Sequence, residues 1–263
     1  MKNLRDKRVL VTGAGSGIGR AIALELAHRG SHPWLLDIDE AKLGSVATEA
    51  RRCGVDVAAR RCDLRHEDEI RSVVEEVLSA WRGIDILVNN AGILWYGATE
   101  KISDQQWNEL LAVNLAAPIA LTRLFLPSLL QLREAHVLNV CSLYGLVPKR
   151  RLAAYQTAKF GLVGFSQSLR LEYGPGGLGI TVLCPGLVQT DLIASAGRGG
   201  RLLAPLNLDM RLAAAPERIA VRAVRAIQKN EGLVVCTAHA RGLWLLHRCS
   251  PRLLDRWQHW KRR

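Results

Sequence analysis

Short, continuously apolar runs take turns with helical patterns along most of this chain, and few folds tolerate that rhythm. Arg8–Thr12, Pro33–Asp37, Val55–Arg61, Ile84–Asn89, His136–Cys141, Ile180–Cys184 and Leu233–Thr237 read as strands. Between them, Gly17–Arg29, Ile38–Cys53, Glu67–Trp81, Trp107–Leu132, Ala154–Tyr173 and Pro216–Lys229 carry helical periodicity. Strands that are apolar throughout, rather than on alternate residues, bury both faces, and a parallel sheet sandwiched by helices is the arrangement that needs this. Right-handed crossovers then wind the chain into an open, doubly wound α/β sheet of about seven strands. With no linker rich in Pro, Gly or Ser and no internal repeat, one domain is the expected count for 263 residues.

Composition narrows the function classes. Apolar residues make up 49% and charged ones 23%, which is globular composition, so disorder is not the default reading. The net charge of +12 raises the question of nucleic acid or anionic lipid. Its distribution answers for nucleic acid: residues 241–263 hold seven Arg or Lys against one Asp, so half of the excess lies in the last 23 residues. No recognition motif accompanies it, and nucleic-acid binding is not expected. The six cysteines show no CxxC pair and no metal-ligand spacing, so they read as reduced, mostly buried thiols in a cytoplasmic protein that requires no metal. Charges near Met1 are followed by no apolar segment, so no signal peptide is expected. The apolar stretch from Leu110 to Leu130 is broken by Asn114, Pro118, Arg123 and Pro127, which suits a buried helix rather than a membrane span.

Chemistry enters at the turn after the first strand, Thr12-Gly13-Ala14-Gly15-Ser16-Gly17-Ile18-Gly19. Glycines at 13, 17 and 19 permit a sharp turn and close approach, and the turn opens a helix whose N-terminal N–H groups suit a pyrophosphate. Asp37 ends the second strand, 18 residues after Gly19, near the spacing at which a carboxylate takes ribose hydroxyls. A carboxylate there repels the additional phosphate of NADP, so NAD is the expected cofactor. The ordinary alternative is that Asp37 caps the next helix.

Further motifs follow in order: Asn89-Asn90-Ala91-Gly92, Asn114, Ser142, Tyr155-Gln156-Thr157-Ala158-Lys159 and Pro185-Gly186. Together with the glycine turn they make the chain resemble the short-chain dehydrogenase/reductase family over roughly residues 5–237. The resemblance implies a Rossmann-type catalytic domain over 1–237 and a catalytic tetrad of Asn114, Ser142, Tyr155 and Lys159. It also implies cofactor contacts at Gly13, Ser16, Gly17, Ile18, Gly19, Asp37, Asp63, Leu64, Asn90, Tyr155, Lys159, Pro185, Gly186, Val188 and Thr190. By the same resemblance Asn114 holds a water linking Lys159 to solvent, Asp63 meets the adenine, and Thr190 bonds the nicotinamide carboxamide.

The tetrad also makes chemical sense without the family. Moving a hydride to or from a carbon bonded to oxygen requires a proton to move on that oxygen. Tyrosine, with an ordinary pKa of about 10, needs a nearby cation to act as a base near neutral pH. Lys159 follows Tyr155 by four residues, on the same helical face. Ser142 can bond the substrate oxygen and stabilise its developing charge. Each of these residues alone has an ordinary reading, as an exposed helix pair, a turn residue or a buried polar group.

Leu94, Trp95, Ser142, Leu143, Tyr144, Val147, Tyr155 and Leu187 are expected on the substrate side. Their apolar and aromatic character suits a hydrophobic secondary alcohol or ketone: steroid-like, aryl-alkyl or fatty-chain. A carrier-bound 3-oxoacyl chain is the alternative substrate, and a catalytically silent dinucleotide-sensing scaffold the alternative role. Residues 192–215, with Gly197, Gly199, Gly200 and Pro205, read as a flap over the site. Family members are usually dimers or tetramers, which implies a homo-oligomer. After Thr237 a basic, Trp-containing helical extension of the same domain, 238–263, includes a helix start at Ser250-Pro251 and then Leu253, Trp257 and Trp260 on one face. Packing on a neighbouring subunit is favoured for this tail, with peripheral attachment to an anionic membrane as the alternative.

Overall fold

The computed structural model describes residues 1–190, 192 and 213–253. Seven parallel strands form one sheet in the order β3-β2-β1-β4-β5-β6-β7. They are β1 (Arg8–Thr12), β2 (His32–Asp37), β3 (Ala58–Arg61), β4 (Ile86–Asn89), β5 (Ala135–Val140), β6 (Leu178–Cys184) and β7 (Leu233–Val235). The helices are α1 (Gly17–His28), α2 (Glu40–Arg51), α3 (Glu67–Trp81), α4 (Asp104–Leu111), α5 (Ala117–Leu130), α6 (Ala153–Tyr173), α7 (Pro216–Lys229) and α8 (Ala238–Cys249).

Alternate residues of each strand feed opposite layers. Val9 and Val11 of β1 pack with Ile22, Leu26, Val46, Ala223 and Ile227 from α1, α2 and α7. Leu10, between them, faces Val73, Val77, Leu121 and Phe125 from α3 and α5. Both layers are apolar, which explains the absence of in–out alternation in the sequence. Burying each of the Val, Ile, Leu and Phe side chains among them contributes about 1.5–3 kcal/mol of transfer free energy. Small residues on α1 (Ala23, Ala27) and α7 (Ala220, Ala223) are buried and let the two helices approach closely.

The expected helix over 107–132 is broken in two. α4 starts earlier, at Asp104, behind a capping box formed by Ser103 and Gln106. A π turn, Ala112–Ala116, then separates it from α5. Pro118 gives the reason: it has no N–H for the carbonyl of Asn114, four residues back, and its ring crowds that turn. Pro127 sits inside α5, where Leu121, Phe125 and Leu129 are nevertheless buried. In the tail, where a helical extension is expected, α8 forms ahead of the Ser250-Pro251 start. Thr237 caps it by accepting from the Ala240 N–H at 3.3 Å, and Leu243 and Trp244 pack on Val147 and Val235 of the same chain.

β1 pairs with β2 on one side and β4 on the other. The chain therefore reverses its direction of progress across the sheet between them, and a crevice opens at the carboxyl ends of these strands.

Candidate active site

The backbone of this crevice is tied by side chains that the strand ends supply. Thr12 Oγ1 accepts from the N–H groups of Asn90 (3.0 Å) and Ala91 (3.1 Å), joining the ends of β1 and β4. Asn90 Nδ2 donates to the carbonyls of Thr12 (3.0 Å) and Gly13 (3.1 Å). Gly13 has φ +63°, and a Cβ there would lie 2.8 Å from Ala91 Cα. At Gly19 a Cβ would meet the Gly13 carbonyl oxygen at 2.0 Å and Asn90 Nδ2 at 2.3 Å. Gly13 therefore serves the turn, and Gly19 serves the packing of the helix against it.

The cleft measures about 430 Å³. Of the residues carried over by resemblance, Gly13, Ser16, Gly17, Ile18, Asp37, Asp63, Leu64, Asn90, Tyr155, Lys159 and Thr190 line it. The first turn of α1 has no side-chain cap, so its N–H groups face the cleft without an internal side-chain acceptor. That is the donor set an anionic pyrophosphate takes, and the residues present fit a dinucleotide there. Gly19, Pro185, Gly186 and Val188 stand behind the lining. Pro185 accepts the Leu143 N–H at 2.8 Å, a Cβ on Gly186 would meet Thr237 Oγ1 at 2.6 Å, and Val188 pairs with Ala214.

Asp37 is engaged with the glycine turn. Its Oδ2 accepts the Gly15 N–H at 2.8 Å and its Oδ1 the Asp39 N–H at 3.0 Å. The cap of α2 is Asp39, which accepts from the Lys42 N–H at 3.1 Å. Asp63 is held by Arg65, whose Nε donates to Oδ1 at 2.9 Å and whose Nη2 donates to Oδ2 at 2.5 Å. This hydrogen-bonded guanidinium holds the Asp63 carboxyl below its usual range, despite burial. The N-cap of α3 is His66. Lys42, Arg65 and Glu109 also line the cleft and were missed in the sequence. A polar residue on a helix near a strand end looks like any solvated residue until the register is known.

The four tetrad positions converge at the inner end. Ser142 caps a short 3₁₀ turn after β5, accepting from the Tyr144 N–H at 3.1 Å, and hydrogen-bonds the Tyr155 hydroxyl. Lys159 Nζ lies 5.8 Å from the Tyr155 ring centroid and donates to the Val140 carbonyl at 3.1 Å. Asn114, fully buried in the π turn, clamps Ile93: Oδ1 accepts its N–H and Nδ2 donates to its carbonyl, both at 2.8 Å. Gly92 bridges Asn114 and Lys159, since a Cβ there would sit 3.3 Å from Asn114 Oδ1 and 3.7 Å from Lys159 Nζ.

Electrostatics depart from the expected picture. Burial pushes the Tyr155 hydroxyl well above the ordinary tyrosine range, and the Ser142 hydrogen bond only partly opposes it. Burial likewise lowers the pKa of Lys159. Desolvation, rather than the lysine charge, dominates Tyr155 in this arrangement.

The predicted substrate wall is placed differently. Leu94 and Trp95 pack in a small core with Leu110 and Leu152. Leu143 and Val147 belong to another, with Cys141 and Val235. Neither they nor Tyr144 and Leu187 appear in the cleft lining, where Ile93, Val113 and Leu192 supply the apolar surface beside Tyr155. Apolar residues flanking the motifs serve the core as readily as a pocket, and the sequence pattern alone does not separate them. Most of the expected flap (193–212) lies outside the described residues, as do Trp257 and Trp260.

Known proteins resemble this chain in sequence and in fold. A family model described as short chain dehydrogenase matches residues 7–199. A D-beta-hydroxybutyrate dehydrogenase from Cupriavidus necator is 35% identical over 190 residues, 72% of this chain and 74% of the relative. A short-chain dehydrogenase/reductase from Burkholderia phymatum, solved in complex with NAD, superposes with a TM-score of 0.86 at 24% identity, covering 97% of each chain. A short-chain dehydrogenase from Sphingobium yanoikuyae, in complex with NADPH, reaches 0.81 at 25% identity over 95% of each.

Proposed function

Because the chain belongs to the short-chain dehydrogenase/reductase family of oxidoreductases, we propose that it interconverts a hydrophobic secondary alcohol and its ketone with NAD. The observation that carries this reading is that Tyr155 and Lys159 line the cleft together beside Ile93, Val113 and Leu192, with Ser142 hydrogen-bonded to the Tyr155 hydroxyl. The dinucleotide, when bound, supplies or accepts the hydride. Tyr155 gives the substrate oxygen its proton in reduction and takes it in oxidation. Ser142, already bonded to the Tyr155 hydroxyl, shares the substrate oxygen and orients it between the two hydroxyls. Lys159 holds a positive charge beside the tyrosine ring. Pro118 has no N–H for the Asn114 carbonyl, so the ordinary helical donor is missing there, and this carbonyl is proposed to hold the water of a proton relay to Lys159.

Asp37 supports NAD over NADP: its carboxylate, fixed by two backbone N–H groups, stands at the outer end of the cleft. Ile93, Val113 and Leu192 support an apolar substrate. The Cupriavidus relative is named for a small hydroxy acid, so the substrate panel must contain one. Purified protein is assayed with NAD and NADP against bulky secondary alcohols, hydroxybutyrate and carrier-linked 3-hydroxyacyl chains. NAD-dependent turnover strongest on a bulky alcohol is expected. Preference for hydroxybutyrate or the carrier-linked chain would replace the proposed substrate class.

A further inference from the structure

Two cysteines sit directly behind the site and take no part in the proposed reaction. β5 and β6 run parallel with Val140 opposite Leu183. The Cys141 N–H bonds the Leu183 carbonyl at 2.7 Å, so the next step of the register sets Cys141 opposite Cys184. Facing residues on adjacent strands lie within the Cα separation that a disulfide spans. Both stand at strand ends, directly before Ser142 and Pro185, and Cys184 stays paired with Val235 of β7 on its other side.

The thiols form a directed chain. Cys184 S–H bonds the Cys141 sulfur, and Cys141 S–H donates to the Lys159 carbonyl at 3.2 Å. Cys141 lines the cleft, whereas Cys184 is completely buried behind it. A small oxidant in the cleft therefore reaches Cys141 first and finds Cys184 waiting. Burial raises the Cys141 thiol, but the Cys184 hydrogen bond and the Lys159 charge outweigh it, so its pKa is lowered, while that of Cys184 is raised. Cys141, at the cleft, is thus placed as the thiol that an oxidant meets, and Cys184, behind it, as the thiol that resolves it.

We infer that Cys141 and Cys184 form a redox-responsive dithiol that hydrogen peroxide closes to a disulfide, loosening the catalytic lysine's turn. The Cys141 thiolate attacks one peroxide oxygen; an S–O bond forms, the O–O bond breaks and hydroxide leaves, taking up the thiol proton as water. The Cys184 sulfur then attacks the sulfenic sulfur; the S–S bond forms, the S–O bond breaks and a second water departs with the Cys184 proton. Two thiols lose two electrons and two protons, and peroxide is reduced to two waters. The Lys159 carbonyl loses the donor that held it, one turn from Tyr155. Only this effect on turnover rests on the proposed reaction; the disulfide does not.

The test uses the full chain carrying Cys249→Ser, because Cys249 is exposed and would cross-link chains. Equimolar hydrogen peroxide is followed by denaturing alkylation and non-reducing peptide mapping. The expected result is a Cys141–Cys184 peptide pair, with titratable thiols falling from five to three of the original six less Cys249, and recovery with dithiothreitol. In the additional variant Cys184→Ala the reaction stops at a Cys141 sulfenic acid that dimedone traps. No cross-link, or one joining Cys184 to Cys236, overturns the inference. If the mapped disulfide forms but NAD-dependent turnover is absent even before peroxide, the proposed reaction fails and the dithiol stands.

Discussion

Tyr155 is where residue chemistry decides the account. Burial raises its pKa, so the neutral phenol dominates at physiological pH and Ser142 supplies the counter-pull. The sign follows directly: oxidation, which needs the tyrosine to take a proton, speeds up as pH rises, while reduction is sustained through neutral pH and declines only in the alkaline limb. Ser142→Ala removes the bond that draws the pKa down, so both limbs of kcat/KM move to higher pH and oxidation near neutrality slows by about tenfold or more. An unmoved profile would show that Ser142 does not tune the tyrosine. Asp37 has a separate role. Asp37→Ala takes away the charge that opposes a second phosphate and is predicted to reduce the NAD-over-NADP preference by about tenfold, ~1.4 kcal/mol. Measured Kd values for NADH and NADPH check this. At this scale the sequence was informative, because glycine turns and a Tyr-x-x-x-Lys pair bring their own geometry. It was not informative for Leu94, Trp95, Leu143 and Val147, whose apolar side chains the fold claims for its core.

Among the elements, α1 carries the cofactor end and its glycines set its position. Gly19→Ala would drive a methyl group into the Gly13 carbonyl and the Asn90 amide. It should cost about 1–3 kcal/mol of stability and most of the NADH affinity together; thermal unfolding and NADH fluorescence titration read both. A variant that keeps full affinity would mean the turn tolerates a wider helix. Element type was readable from period and length, yet two boundaries were not. The π turn at Ala112–Ala116 depends on Pro118 acting four residues upstream, a backbone effect that side-chain periodicity does not register. The bounds of α8 were not readable within the expected helical extension, because its anchors, Leu243 and Trp244, sit among Leu245 and Leu246, which the fold leaves exposed. The sheet, by contrast, was legible as a whole, since strands apolar on both faces have few other solutions.

Across the whole molecule, stability and pH are linked through a group far from the reaction. His136 is buried in the middle of the sheet, with Nε2 2.9 Å from Thr181 Oγ1, whose hydroxyl donates to the Glu231 carbonyl at 2.6 Å. Thr181 Oγ1 therefore accepts from the neutral imidazole. Burial depresses the His136 pKa from 6.5 to about 3. The unfolded chain binds the proton more readily, so stability falls as pH drops below 6.5 and continues to fall until about 3. Denaturant unfolding at a series of pH values should show a loss approaching ~1.4 kcal/mol per pH unit in that window. His136→Gln should flatten that dependence; an unchanged slope would assign it to other groups. Chain-wide charge was a poor guide to function, since half of the +12 lies in the last 23 residues of the sequence.

The central claim is that Tyr155 moves the proton while the rest of the cleft holds the dinucleotide. Tyr155→Phe retains the ring and loses only the hydroxyl, so single-turnover hydride transfer and NADH binding can be compared in one protein. The account predicts a fall in transfer of about 10²–10⁴-fold, with the NADH Kd within about twofold of the parent. Transfer at the parent rate, with binding intact, would contradict it.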